Sequence, residues 1–227
     1  MELFSASWLS ALAAIVLIDL VLAGDNAIVI ALAARKLPPR LQRQAIVWGT
    51  LGAVVVRSAM TLAVVWLLRV PGLMLVGGLG LVWIAYKLLL PTSTESGHGE
   101  AAATFWAAMK TIVVADALMG IDNVLGVAGA AHGAFDLVVI GLLISVPIVV
   151  WGSTLVLKLV ERFPVLINLG AAVLAFTAAK MIVSEPLLDA VYDPHALARI
   201  ATYAVLVVGV LAAGRWAARR TPHAPAA

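Results

Sequence analysis

Long apolar runs, broken at intervals by short polar or proline-bearing stretches, set the pattern of this chain. The breaks fall at Arg35-Lys36-Leu37-Pro38-Pro39-Arg40, Val70-Pro71-Gly72, Pro91 to Glu100, His132-Gly133, Arg162-Phe163-Pro164 and Glu185 to His195, all with turn chemistry. The runs between them are too long for strands and show no period-two alternation, so each is read as a helix. A helical crossing of a bilayer needs about 20 apolar residues. The pattern therefore predicts an all-α membrane protein with about seven transmembrane helices, at about 8–33, 44–68, 72–90, 104–131, 136–159, 164–183 and 197–217.

Within that pattern the chain repeats itself. The stretch DLVLAGDNAIVIALAA, residues 19–34, reappears as DALMGIDNVLGVAGAA, residues 116–131, with Asp19, Asp25 and Asn26 mapping onto Asp116, Asp122 and Asn123 at one offset of 97. Further on, Pro71, Gly77 and Lys87 map onto Pro164, Gly170 and Lys180 at an offset of 93. Each unit holds three crossings, an odd number, so the copies enter the membrane from opposite sides. The expected architecture is a single transmembrane domain over 1–227: two inverted three-helix repeats, at about 8–90 and 104–183, joined by a cytoplasmic loop at 91–103, plus one extra C-terminal helix at about 197–217. Inverted repeats are shared by many secondary transporters, whose sites lie near the bilayer midplane where the copies meet.

Composition agrees with the membrane reading. The chain is 63% hydrophobic and 12% charged, with a mean hydropathy of +1.09, far from the balance of a soluble domain. With no cysteine, disulfides and thiolate metal sites are excluded. The net charge of +3 is topological, because no basic stripe interleaved with aromatics marks a nucleic-acid partner. Nine basic residues (Arg35, Lys36, Arg40, Arg43, Lys158, Arg162, Arg215, Arg219 and Arg220) fall on one side, and only Arg69 and Arg199 on the other. The positive-inside rule then places the N-terminus outside and the C-terminus in the cytoplasm of a cell inner (plasma) membrane. Met1 to Ser10 lacks the basic segment of a cleavable signal peptide.

Acidic residues at membrane depth carry the chemistry. An ionised carboxylate there costs roughly 2.5–3.5 kcal/mol on insertion scales, which makes four of them functional by default. On one regular helix Asp19 and Asn26 share a face about 10 Å apart, and Asp25 points roughly 120° away from Asp19. Gly24 and Gly120 are permissive points where a helix could bend and aim these groups together. The simplest arrangement closes Asp25 and Asn26 of one copy with Asp122 and Asn123 of the other around one ion. Asp19 and Asp116 then lie two turns off in opposite directions, as access, exit or proton sites. The ligand set is all oxygen, which suits hard divalent ions such as Mn²⁺, Mg²⁺ and Ca²⁺ better than zinc or copper. Arg57, whose repeat counterpart is Val150, is either a counter-charge that fills the empty site or a fixed partner of a motif aspartate.

These paired motifs resemble the TerC family of integral membrane proteins over essentially the whole chain. The likeness is to its short branch of about seven spans, associated with manganese-responsive control and Mn²⁺ export. It implies that Asp19, Asp25, Asn26, Asp116, Asp122 and Asn123 are the metal-handling positions. Only His98 stands in the loop where that branch is expected to be richer in histidine, which argues against a cytoplasmic metal-collecting loop.

The functional expectation is a secondary transporter, not an enzyme, that exports a divalent metal cation, foremost Mn²⁺, by alternating access. The metal ion is substrate rather than cofactor, and the bilayer is the surrounding partner. Oligomeric state is left open. Expelling a doubly charged ion against a negative interior costs about 4.6 kcal/mol per 100 mV, which counter-moving protons would offset. A membrane scaffold or assembly partner is the alternative, and an exporter of another substrate such as Ca²⁺ a third reading. Lys87 and Lys180 read as snorkelling residues, and Trp48, Trp66, Trp83, Trp106, Trp151 and Trp216 as interfacial anchors. Glu95, His98 and Glu100 read as a solvated loop. Asp136, Glu185, Asp189, Asp193 and His195 read as capping and solvation of the outer face.

Overall fold

The computed structural model describes residues 5–67, 70–90, 98–131 and 135–220. Asp122 is described for its backbone only, and Arg69, Glu95, His132 and the side chains of His98 and Glu100 lie outside the described residues. In chain order the helices are α1 (Ala6–Ala34), α2 (Pro39–Leu62), α3 (Val64–Leu67), α4 (Leu73–Leu89), α5 (His98–Ala131), α6 (Phe135–Arg162), α7 (Val165–Val183), α8 (Asp189–Tyr192) and α9 (Ala196–Arg220). A 3-10 turn, Pro186–Leu188, precedes α8. The described residues contain no strand.

Five of these helices are long and apolar enough to cross a bilayer, and a sixth crossing follows if the bent α1 is counted as one span. The seventh expected crossing is α4, shorter at 17 residues. Other boundaries also move. Helix α5 already begins at His98, so the expected loop 91–103 is helical over its second half. Pro39 occupies the first turn of α2, where a missing N–H costs nothing, and the helix starts five residues before the apolar run. It breaks at Ala63, φ −91° and ψ 5°, and resumes as α3 to Leu67, next to the expected end at 68.

Helix α1 is capped by Ser5, whose hydroxyl accepts from the Trp8 N–H at 3.2 Å. It bends by 50° between Ala6–Val21 and Gly24–Ala34, beside the glycine singled out from the sequence. Helix α5 stays helical through Gly120 to Ala131. Trp8, Ala11 and Ile15 near the start of α1 cluster with Val127 and Ala131 near the end of α5. Val29 to Ala34 at the end of α1 cluster with Ala108, Ile112 and Ala115 near the start of α5. The two motif-bearing helices therefore run antiparallel.

The principal helix pairs are α1 with α6, α2 with α5, α4 with α7, and α1 with α5. Exchanging the two three-helix units leaves this set unchanged. Gly77 on α4 lies against Ile121 of α5, and its sequence counterpart Gly170 on α7 lies against Ile28 and Leu32 of α1. Each glycine thus lets a helix approach the motif-bearing helix of the other unit. Helix α9 rests on α4 and α7 at the edge, with the Phe176 and Tyr203 rings 4.8 Å apart. All six expected anchor tryptophans are exposed on the outer surface, as a lipid-facing body requires.

Two loop contacts fix the ends of α4. Arg35 Nη2 donates to the Leu88 carbonyl and Lys36 Nζ to the Leu90 carbonyl, each at 2.8 Å, so two of the topology-setting cations also satisfy carbonyls at a helix C-terminus. At the other end Gly72 turns the chain with φ +81°, and the Glu185 carboxylate accepts the N–H groups of Gly72, Met74 and Leu75 at 3.0, 3.1 and 3.2 Å. Glu185 is only 1% exposed, so the capping expected of it is a buried clamp between α7 and α4.

Candidate metal site

The site grows from α2. Its buried positions, Ala45, Ile46, Gly49, Thr50, Ala53, Arg57 and Thr61, recur every three to four residues, which turns one stripe of the helix inward. Small residues on that stripe let α5 come close: a side chain at Gly49 would collide with Ile112. Arg57 therefore projects into the body of the protein, not into lipid. Its guanidinium donates through Nη1 to Asp19 Oδ1 on α1 and through Nη2 to Asp116 Oδ1 on α5. All three residues are buried, at 4–5% exposure.

A small cavity of about 20 Å³ adjoins this bridge, room for one water-sized particle. Its polar lining comes from Asp19, Asn26, Thr50, Arg57, Asp116 and Ser145, and its apolar lining from Ile30, Ala53, Val54, Leu142, Val146 and Val149. Three of the lining oxygens are buried with no hydrogen-bond partner: Asn26 Oδ1, Thr50 Oγ1 and Asp116 Oδ2. Buried polar atoms are nearly always paired, so three orphaned oxygens around one small void, with the unpartnered Arg57 Nε beside them, set this place apart from the rest of the interior. With both carboxylates ionised, the group of two acids and one guanidinium carries one surplus negative charge.

The geometry departs from the expected arrangement in one respect. Asp19 and Asp116, expected two turns off centre on opposite sides, are the pair that Arg57 bridges. Asp25 is half-buried, does not line the cavity, and accepts the Asn26 N–H at 2.9 Å. The reason is Arg57, whose two Nη groups reach one acid on each motif-bearing helix, while Asp25 stands on α1 beyond its 50° bend. Asn26 reaches the cavity and Asn123 is buried away from its lining; the Asp122 side chain lies outside the described residues. Among the described residues no group of three or more His, Cys, Asp or Glu side chains converges. Any metal held here takes two carboxylates, with amide and hydroxyl oxygens making up the set.

Sequence reasoning passed over Thr50, Ser145 and Pro147. Pro147 interrupts α6 one residue from the cavity-lining Val146 and leaves the Leu143 carbonyl without its helical donor. A larger cavity, about 630 Å³, opens between α2 and α6 and is lined by Gln42, Arg43, Ile46, Pro147, Val150, Trp151, Lys158 and Glu161 among others. Its inner walls, Ile46 and Val150, stand one helical turn from Thr50 and Val146 of the small cavity.

The chain matches the integral membrane protein TerC family over residues 4–222. This protein belongs to the TerC family. It is 45% identical over 188 residues to "Uncharacterized membrane protein YjbE" of Bacillus subtilis, a match covering 83% of this chain and 86% of the relative. It is 27% identical over 175 residues to "UPF0053 inner membrane protein YgdQ" of Escherichia coli, covering 70% of this chain and 73% of that one. No solved structure matches. The TerC chain described here is thus a multi-pass integral membrane protein, with a buried, partly unsatisfied acidic centre between the helices that carry its repeated motif.

Proposed function

We propose that this TerC protein is a secondary transporter that exports a divalent metal cation from the cytoplasm across the inner membrane, with Mn²⁺ the foremost substrate. One observation carries the reading. Two carboxylates from equivalent positions of the two repeats share one guanidinium inside an apolar body, beside a small void lined by the unpartnered Asn26 Oδ1, Thr50 Oγ1 and Asp116 Oδ2. Oxygen donors favour hard divalent ions, and Mn²⁺ among these is what the likeness to the short TerC branch implies. The bound ion sits between Asp19, Asp116, Asn26 and Thr50. Asp25 and Asp122 serve as relay carboxylates on either side, and Asn123 supports the outer one.

In this reading the small cavity is the point at which access alternates between the two sides of the membrane. With the N-terminus outside, the large cavity between α2 and α6 opens to the cytoplasm, and the turn of α2 and α6 that holds Ile46 and Val150 forms the inner gate. Pro147 supplies the weak point at which α6 can flex.

Uptake of Mn²⁺ by everted membrane vesicles, with Ca²⁺, Mg²⁺ and Zn²⁺ as competitors, tests the proposal on the native chain and on Asp116→Asn. Native vesicles are expected to accumulate Mn²⁺ under an imposed gradient, and the variant, expressed to the same level, to lose at least about tenfold in rate. No accumulation by native vesicles under any gradient, or full activity in the variant, overturns it.

A further inference from the structure

We infer that Arg57 is a tethered cation that competes with the transported ion for Asp19 and Asp116, and that this competition makes the site choose divalent over monovalent cations. The inference rests on the transport reading above. Its starting point is stoichiometry. A guanidinium that merely held two helices together would need one carboxylate, or two with every oxygen satisfied. Here it forks onto two acids from two repeats and still leaves Asp116 Oδ2, Asn26 Oδ1 and Thr50 Oγ1 bare. The lone pairs that an arriving ion would use are the ones the guanidinium occupies, together with the ones it cannot reach.

Charge decides which ions can take its place. Buried charges persist only when compensated. An ion that displaces the guanidinium must neutralise two carboxylates by itself, which a divalent cation does and a monovalent one does not. With Na⁺ or K⁺ in that position the surplus negative charge would remain, so the guanidinium returns. The displaced side chain also needs an anion within reach. Asp25, half-buried on the same helix as Asp19, receives the guanidinium while the ion is bound. The arrangement is asymmetric by sequence. The position equivalent to Arg57 in the second repeat is Val150, which lines the large cavity, so one face of the site is plugged by a cation and the opposite face is left for the substrate to approach.

The test is equilibrium binding of radiolabelled Mn²⁺ to purified protein in lipid nanodiscs, with Na⁺ and K⁺ as competitors. The chains compared are native, Arg57→Met, Arg57→Lys and Asp25→Asn. Losing one or two charge-assisted bonds from the competitor predicts Mn²⁺ affinity about ten- to a hundredfold tighter in Arg57→Met. Arg57→Lys shows a smaller gain, because one ammonium cannot fork onto both acids, and it carries the test if Arg57→Met does not fold. Both are expected to become sensitive to Na⁺ where the native protein is not, and Asp25→Asn to bind Mn²⁺ more weakly. Arg57→Lys binding Mn²⁺ no tighter than native, while the native chain binds and moves it, overturns the inference alone. Absence of divalent binding in the native chain and in every variant instead sinks the transport reading on which it stands.

Discussion

Deleting charges one at a time from the buried centre should not have equal effects, and the order follows from the geometry. Asp19→Asn or Asp116→Asn removes one of two carboxylates and leaves a guanidinium paired with the other. The loss is one charge-assisted hydrogen bond, about 1.5–3 kcal/mol, partly offset by relief of the repulsion between two acids held on one group. A net cost of about 1–2 kcal/mol is expected. Arg57→Met leaves two carboxylates with no cation in a site that is 4–5% exposed. Removing one side of a buried ion pair costs about 3–5 kcal/mol. For a chain of this length each kcal/mol moves the midpoint of thermal unfolding by about 2–4 °C. The asparagine variants should therefore melt about 2–8 °C below native and the methionine variant about 6–20 °C below, measured in nanodiscs at neutral pH without added metal. An asparagine variant as unstable as Arg57→Met would refute the reasoning, because it would mean the centre holds no surplus negative charge.

Three further outcomes follow from contacts away from the centre. Glu185 is buried, which alone would raise its carboxyl, but the N–H groups of Gly72, Leu75, Leu187 and Met74 outweigh this and hold it below the ordinary value of 4.5. Its contribution is thus complete above that value and is lost as pH falls through the lower native one. Glu185→Gln should cost about 1–3 kcal/mol at pH 7 and flatten the acid limb of a stability–pH curve; an unchanged limb counts against the clamp. Burial, together with Arg35 and Lys87, pushes the Lys36 ammonium down to about 8, so amine-labelling of Lys36 followed by mass spectrometry should show a midpoint near that value, and a midpoint near 10.5 would contradict it. A side chain at Gly78 would meet the Ala178 carbonyl at 2.8 Å and Ile182 at 2.7 Å, so Gly78→Val should destabilise the α4–α7 pair by about 1–3 kcal/mol. Thermal unfolding reads this, and native stability in the variant would show that the pair can separate freely.

Much of the fold was legible in the chain because lipid imposes strict rules. Apolar runs had to be helices, and turn chemistry placed most of their ends within a few residues. Where ends moved, a local rule outweighed hydropathy: Pro39 starts α2 early as a favourable first residue, and polar residues from His98 onward continue α5 because a helix need not stop where the bilayer does. The repeated acids were readable as well, because an aspartate at such depth is costly unless a positive charge meets it. Their pairing was not. Spacing along one helix gives the face and height of each side chain, while the level at which two helices cross is set by packing of small residues such as Gly49 against Ile112, and no periodicity encodes that. Ser145 was invisible for a related reason: its hydroxyl bonds back to the Gly141 carbonyl at 3.0 Å, and such a residue looks like any tolerated polar residue until a cavity is found beside it; Thr50, whose Oγ1 makes no such bond, carries no signal in its spacing either.

On the proposed transport reading, the single arginine would let a near-symmetric frame carry a directional task. If both repeats held an arginine at this position, two guanidinium groups would neutralise two carboxylates and the centre would have no need of a further cation. If neither did, two bare acids would face each other in lipid, and either protonation or a tightly held ion would follow, both poor states for turnover. With one arginine, an ion that displaces the guanidinium would meet two carboxylates, which a divalent ion balances, and the centre would have a cation to fall back on once that ion has left. The side of the centre opposite Arg57, where Val150 stands in its place, is also where the large cavity approaches. A reversed placement, Arg57→Val combined with Val150→Arg, is therefore expected to keep the bridge between Asp19 and Asp116 while closing the cytoplasmic approach. Such a chain should fold and bind Mn²⁺ from the outer face, yet fail to load it from the cytoplasmic face of everted vesicles. Loading at the native rate would show that access does not run along α6.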